Sequence, residues 1–129
     1  VILDTSAIMA MLLAEPEAAA FEDQVTRTEA VAISAATHVE LTLVAAGRLG
    51  PEIWPEMDDL LLRMGVEIIP FTAEHAALAR EGFRRFGKGR HPAGLNFGDC
   101  FAYALARARN QPLLFKGDDF ARTDVKAAL

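Results

Sequence analysis

In the stretch Val1-Ile2-Leu3-Asp4-Thr5-Ser6-Ala7, three apolar, mostly β-branched residues run straight into an aspartate, and a Thr-Ser pair opens a helical pattern from Ala7 to Leu13. A short branched run of this kind reads as a buried strand. Its C-terminal end delivers the Asp4 carboxylate beside a helix N-terminus. In open α/β sheets ligands bind outside the carboxyl ends of the strands, so Asp4 stands where chemistry is expected. Capping the next helix is the plainer role for an aspartate there. The stretch alone leaves both roles open.

Working outward, strand and helix patterns alternate. Pro16 opens a helix to about Thr26, since proline and acids suit a first helical turn. Val31-Ala32-Ile33 is a second short strand, ended by Ser34; the helix after it runs to about Ala46, with Gly47 and Gly50 as stop signals. Pro51 starts a helix whose Trp54, Met57, Leu61 and Met64 share a face. Val66–Ile69 is a third strand, closed by Pro70. Thr72 can cap a helix whose Ala76, Ala79, Phe83 and Phe86 fall on one side. Gly87 to Gly94 is a glycine-rich loop, a helix follows from about Phe97 to Arg109, and Pro112–Phe115 gives a fourth strand. Strands separated by helices, with no hairpin signal, imply parallel crossovers. The expectation is an α/β protein, a three-layer α/β/α sandwich with a short central parallel sheet, as one domain over residues 1–129.

At 129 residues and 52% hydrophobic content the chain suits one core. No apolar run nears the roughly 20 residues of a bilayer span, and no basic-then-apolar leader opens the sequence. A soluble, cytoplasmic protein with no membrane association is expected. The single cysteine, Cys100, excludes an internal disulfide and a cysteine zinc cage, and reads as core. The net charge of −5 is unusual for a nucleic-acid partner. Without Asp4, Glu40, Asp99, Asp118 and Asp119, however, thirteen of the 18 acids remain, against 13 Lys and Arg. If those five hold cations, the apparent repulsion disappears.

Those acids converge. In a parallel sheet all strand C-termini share one edge, so Asp118 and Asp119, after the fourth strand, should lie near Asp4. Glu40, in the first turns of the helix after strand two, and Asp99, in the first turn of the helix before strand four, point to the same edge. Asp99 reaches it only if the Gly87–Gly94 loop returns the chain there. Thr37-x-x-Glu40 and Asn96-x-x-Asp99 also fit capping boxes. Acids from four segments at one edge raise one another's pKa and oppose folding unless a cation sits among them. Carboxylate donors without cysteine or suitably spaced histidine favour Mg²⁺ or Mn²⁺, whose shell substrate phosphates can complete. His38 and His75 are expected as helix-surface or capping residues. The implied chemistry is metal-dependent hydrolysis of a phosphodiester.

Together, Val-Ile-Leu-Asp4-Thr-Ser-Ala, Glu40 after strand two, Asn-Phe-Gly-Asp99-Cys and Leu-Leu-Phe-Lys-Gly-Asp118-Asp119-Phe resemble PIN-domain ribonucleases, and more narrowly the toxins of VapBC toxin–antitoxin pairs. The resemblance spans nearly the whole chain. It implies an endoribonuclease toxin that cuts RNA, tRNA among the candidates, with Mg²⁺ or Mn²⁺. It further implies a homodimer and a VapB-type antitoxin whose tail blocks the acidic pocket. Asp4, Glu40 and Asp99 match the family's acidic core, and Thr5 and Ser6 its neighbouring hydroxyls, expected on the substrate side of the site where they hydrogen-bond a carboxylate or a metal-bound water, with capping of the helix as the alternative role. The family often sets its fourth acid two residues after a Thr or Ser at the strand end, a spacing that lands here on Gly117. Asp118 is the first choice for that acid and Asp119 the alternate.

The run Arg80, Arg84, Arg85, Lys88, Arg90 is the expected RNA-facing surface, with His91 at its rim, although a helical charge run is also an ordinary solvated face. Phosphatases of the haloacid dehalogenase type need an acid two residues after the first aspartate, where this chain has Ser6. No glycine-rich phosphate loop is present. The remaining alternative is a PIN-like scaffold that binds RNA or protein without cutting, for which clustered carboxylates have no use.

Overall fold

The computed structural model describes residues 1–129. Strands β1 (Ile2–Leu3), β2 (Val31–Ser34), β3 (Val66–Ile69) and β4 (Leu113–Leu114) form one sheet in the order β3-β2-β1-β4, with every pair parallel. Ile2 sits opposite both Ala32 and Leu113. Helices α1 (Thr5–Leu12) and α2 (Ala18–Thr26) join β1 to β2; α3 (Ala35–Leu49) and α4 (Trp54–Arg63) join β2 to β3; α5 (Ala73–Phe86) and α6 (Phe97–Arg109) join β3 to β4.

Strand alternation sorts the core into two layers. Val1, Leu3, Val31, Ile33 and Leu114 pack with α1 through α4. Ile2, Ala32, Ile69 and Leu113 pack with Phe86 of α5 and with α6. The arrangement is the expected three-layer α/β/α sandwich around a short parallel sheet. Its strand order reverses between β1 and β4, and at such a switch point the strand ends open a crevice.

Several boundaries differ from the sequence reading, each for a local reason. Asp4 caps α1, so the helix begins at Thr5 rather than Ala7. Ala14 takes φ 50 and turns the chain, which moves the start of α2 from Pro16 to Ala18. Gly47 lies within α3; the stop is Gly50, whose φ of 81 suits glycine. Pro51 opens a 3-10 turn, Pro51–Ile53, before α4 proper.

Helix α5 holds the largest correction. Its buried residues are His75, Gly82 and Phe86, while Ala76 and Phe83 are exposed. Gly82 lies against the ring of Tyr103 on α6, where an added Cβ would come within 2.5 Å of a ring carbon. The contact is made by a residue without a side chain, so counting apolar side chains rotated the face away from it. His75 is buried beside Phe71 rather than on the surface.

The glycine-rich loop closes on itself. Lys88 N–H donates to the Leu95 carbonyl and Leu95 N–H to the Phe86 carbonyl, both at 2.9 Å. The start of α6 therefore stands beside the end of α5. The C-terminal segment runs along the outer edge of β4, with Leu113 N–H donating to Lys126 O at 2.8 Å and Ala128 N–H to Leu113 O at 2.9 Å. No helix is long and apolar enough to cross a membrane.

Candidate active site

The Asp4 N–H pairs with Leu114 O at 3.0 Å, so the β1–β4 ladder itself fixes where the carboxylate emerges. Asp4 also caps α1: its Oδ2 accepts from Ser6 N–H at 3.0 Å and from the Ser6 hydroxyl at 2.6 Å. The Ser6 oxygen in turn accepts the Lys116 N–H at 3.0 Å, which ties the aspartate to the end of β4. The other oxygen, Oδ1, is buried and has no hydrogen-bond partner. Capping and a second role are thus both open to Asp4, one for each oxygen.

Asp99 divides its oxygens in a similar way. It closes a capping box with Asn96: Asp99 N–H donates to Asn96 Oδ1 at 2.9 Å, and Asn96 N–H to Asp99 Oδ2 at 3.0 Å. Glu40 is in no capping box, because Ser34 caps α3 and Glu40 lies in its second turn. Instead the Thr5 hydroxyl donates to Glu40 Oε1 at 2.5 Å.

Gly98 makes this meeting possible. A Cβ built there would fall 1.3 Å from Glu40 Oε2, so the Glu40 carboxylate occupies the space a side chain would take at the head of α6. Sequence reasoning passed over Gly98. Its signal was the glycine next to Asp99 in a helical first turn, a position with no turn to require it.

Asp4, Glu40 and Asp99 line one open cleft of about 430 Å³, together with Glu15, Arg48 and Lys116. Burial is the main force on the acids and pushes Asp4 up to about 6, against the pull of the two Ser6 hydrogen bonds. Burial likewise raises Asp99 to about 7; the Asn96 N–H opposes it, and the charges of Asp4, Asp119 and Glu40 add to it. Asp119 thus stands close enough for its charge to reach Asp99. Asp118 and Asp119 are both exposed and neither lines the cleft; Asp118, the first choice for the fourth acid, is not among the charges acting on Asp99. As they stand, no three acidic, histidine or cysteine side chains are grouped closely enough to hold a metal ion between them.

The basic run separates. Arg84 pairs with Glu81 at 2.9 Å on its own helix, and Arg85 with Asp124 at 3.0 Å, leaving Arg80, Lys88 and Arg90 outside those pairs. None of the run lines the acidic cleft. His91 Nδ1 accepts the Ala93 N–H at 3.0 Å, and its ring packs edge-on to Phe86.

A parallel sheet with acids at its switch point agrees with the comparisons to known proteins. The PIN-domain model matches residues 1–126, and the chain belongs to the PIN-domain family. Ribonuclease VapC30 of Mycobacterium tuberculosis is 46% identical over 124 residues, 96% of this chain and 95% of that protein, which places the chain among the VapC-type members. Two solved structures share the fold. VapC20 of Mycobacterium tuberculosis, described as a sarcin–ricin loop cleaving toxin, gives a TM-score of 0.77 at 16% identity, covering 96% of this chain and 95% of its own. VapBC2 of Rickettsia felis, solved on a DNA fragment from its promoter, gives 0.73 at 19% identity, covering 98% and 94%.

The raised carboxylates make a stability prediction. Between the ordinary carboxylate value near 3.8 and the folded values near 6 and 7, the folded protein binds more protons than the unfolded chain. Their contribution therefore falls as pH rises through that window. In chelator, this contribution makes the melting temperature drop from pH 5 to pH 8. The double substitution Asp4→Asn with Asp99→Asn is expected to flatten that drop, and an undiminished drop would locate its source elsewhere.

Proposed function

We propose that this chain is a metal-dependent endoribonuclease toxin that hydrolyses RNA phosphodiesters in the Asp4–Glu40–Asp99 cleft and is neutralised by a VapB-type antitoxin. The observation that carries the reading is the unpartnered, buried Oδ1 of Asp4, set among carboxylates that come from separate segments. A buried anion surrounded by like charges needs a cation. The donors are oxygens only, a set suited to Mg²⁺ or Mn²⁺. Asp4, Glu40 and Asp99 would hold it, with Asp119 favoured over Asp118 to complete the pocket. The three carboxylates do not already form a three-ligand group, so they would have to draw together around an ion that keeps several waters, as Mg²⁺ commonly does. Such an ion supplies activation of water and stabilisation of the leaving oxygen.

The chain's own residues do the positioning. Thr5 holds Glu40 and Ser6 holds Asp4, so these hydroxyls act on the carboxylates rather than directly on substrate. Gly98 leaves room for Glu40. No side-chain nucleophile is required, because water attacks phosphorus in line with the departing oxygen. The substrate class is structured cellular RNA, with tRNA the first to test.

We infer a homodimer through the apolar face of α3, α5 and α6. Phe97 is 80% exposed there, alongside Leu43 at 65% and Val39 at 56%. It borders two apolar hollows, one against Phe83 and Phe101, the other against Val39 and Leu43. A ridge flanked by hollows on one face is self-complementary, as a two-fold interface requires.

Three outcomes follow. Purified, antitoxin-free protein should cut pooled cellular RNA into discrete fragments with Mg²⁺ or Mn²⁺ and not with chelator, and Asp99→Asn should lower the rate by about a hundredfold or more. Absence of cleavage by folded wild-type protein would favour the binding-scaffold alternative. Gly98→Ala should keep or raise the melting temperature, since alanine in a helix gains about 0.5–1 kcal/mol over glycine, yet lose about tenfold or more in cleavage as Glu40 is displaced. In light scattering the wild type should have the mass of a dimer and Phe97→Glu that of a monomer; equal masses would move the interface to another face.

A further inference from the structure

The acidic cleft contains a cation to which the mechanism gives no task. Helix α3 places Glu40, Val44 and Arg48 at successive four-residue steps, and all three line the cleft. Eight helical residues advance about 12 Å, so Arg48 ends the wall on which Glu40 sits. The cleft's other cation, Lys116, is already neutralised: its Nζ contacts Glu15, and Glu17 lies at 3.0 Å. Arg48 is exposed and takes part in none of the chain's ion pairs.

RNA is a chain of phosphates, and an acidic cleft repels it everywhere except where a cation is bound. On the nuclease reading, an ion held by Asp4, Glu40 and Asp99 would offset the scissile phosphate. A neighbouring phosphate still faces carboxylates, and the Glu15–Glu17–Lys116 cluster beside them has one acid in excess of its lysine. A guanidinium offers five donors in a planar fork that fits a phosphate, and its charge persists at every working pH. Resting on the nuclease reading, we propose that Arg48, the unpaired cation on the Glu40 wall of the acidic cleft, binds the RNA phosphate next to the scissile one and so sets which bond reaches the acids.

The competing role is that of any cation in a last helical turn, where it favours the helix dipole. Arg109 has that role in α6 and lines no part of the cleft, so it supplies the control. The two roles differ in salt dependence. A phosphate contact on a single strand contributes about 0.7 to the slope of log affinity against log salt; a helix-dipole contact contributes nothing to it.

The experiment measures kcat/KM on pooled cellular RNA across a salt series, with Mg²⁺ constant, for wild type, Arg48→Ala, Arg48→Lys and Arg109→Ala, each checked for an unchanged melting curve. Arg48→Ala should be about tenfold slower at low salt, with a slope smaller by roughly 0.7, so that its line converges on the wild type at high salt. Arg48→Lys should recover most of the slope, and Arg109→Ala should overlay the wild type. A wild-type slope in Arg48→Ala, or an equal loss in Arg109→Ala, overturns the assignment while leaving the nuclease reading intact. A wild-type protein that cuts no RNA with either metal overturns the nuclease reading and Arg48's role together.

Discussion

The burial of Asp4 at the end of β1 is the constraint on which the rest of the site depends. Its backbone is committed to the ladder with β4 and one carboxylate oxygen to the head of α1, so it cannot turn away from the acids that crowd it. Desolvation and like charge both act against the ionised form. Around it the fold concentrates groups that hold carboxylates in place: two hydroxyls in consecutive positions, a glycine where a side chain would collide, and an asparagine that shares a cap with Asp99. Such an arrangement sacrifices stability in one small region to fix the carboxylates in place, and the two hydrophobic layers on either side of the sheet hold it together.

A capping role does not use up both oxygens of an acid at this site. Asp4 caps α1 with one oxygen and leaves the other buried without a partner, and Asp99 commits one oxygen to the Asn96 N–H in the capping box of α6. A helix N-terminus is an electropositive place, so it moderates the charge of the acid it positions. Glu40 has no such anchor and depends on Thr5, a residue of a different helix. The site is therefore assembled from contacts across elements as well as along them.

The fold was legible because it is written in period and punctuation. Four short branched runs separated by helices leave few topologies, and the parallel order follows. The acids were legible as a set because strand ends and helix heads share an edge. What escaped the sequence was carried by residues with little or no side chain, or by contacts distant along the chain. Gly82 and Gly98 each mark a close approach that no hydrophobic count registers. The basic run on α5 looked like one surface, yet Arg85 answers to Asp124, 39 residues away. Which of Asp118 and Asp119 brings its charge to Asp99 is set by the turn after β4, which spacing alone does not fix.

The C-terminal residues along β4 have a consequence for how copies of this chain can meet. A parallel sheet is finished only when its last strand has no free peptide groups to offer, and an open margin recruits foreign strands. Here Lys126 and Ala128 occupy both hydrogen-bonding positions of Leu113, closing that margin from within the same chain. On the opposite margin, Glu67 within β3 and Pro70 directly after it are poor templates for a further strand. Growth by sheet extension is thereby discouraged on both sides, and contact between copies is left to the helical faces, where it can close as a pair instead of propagating as a fibre.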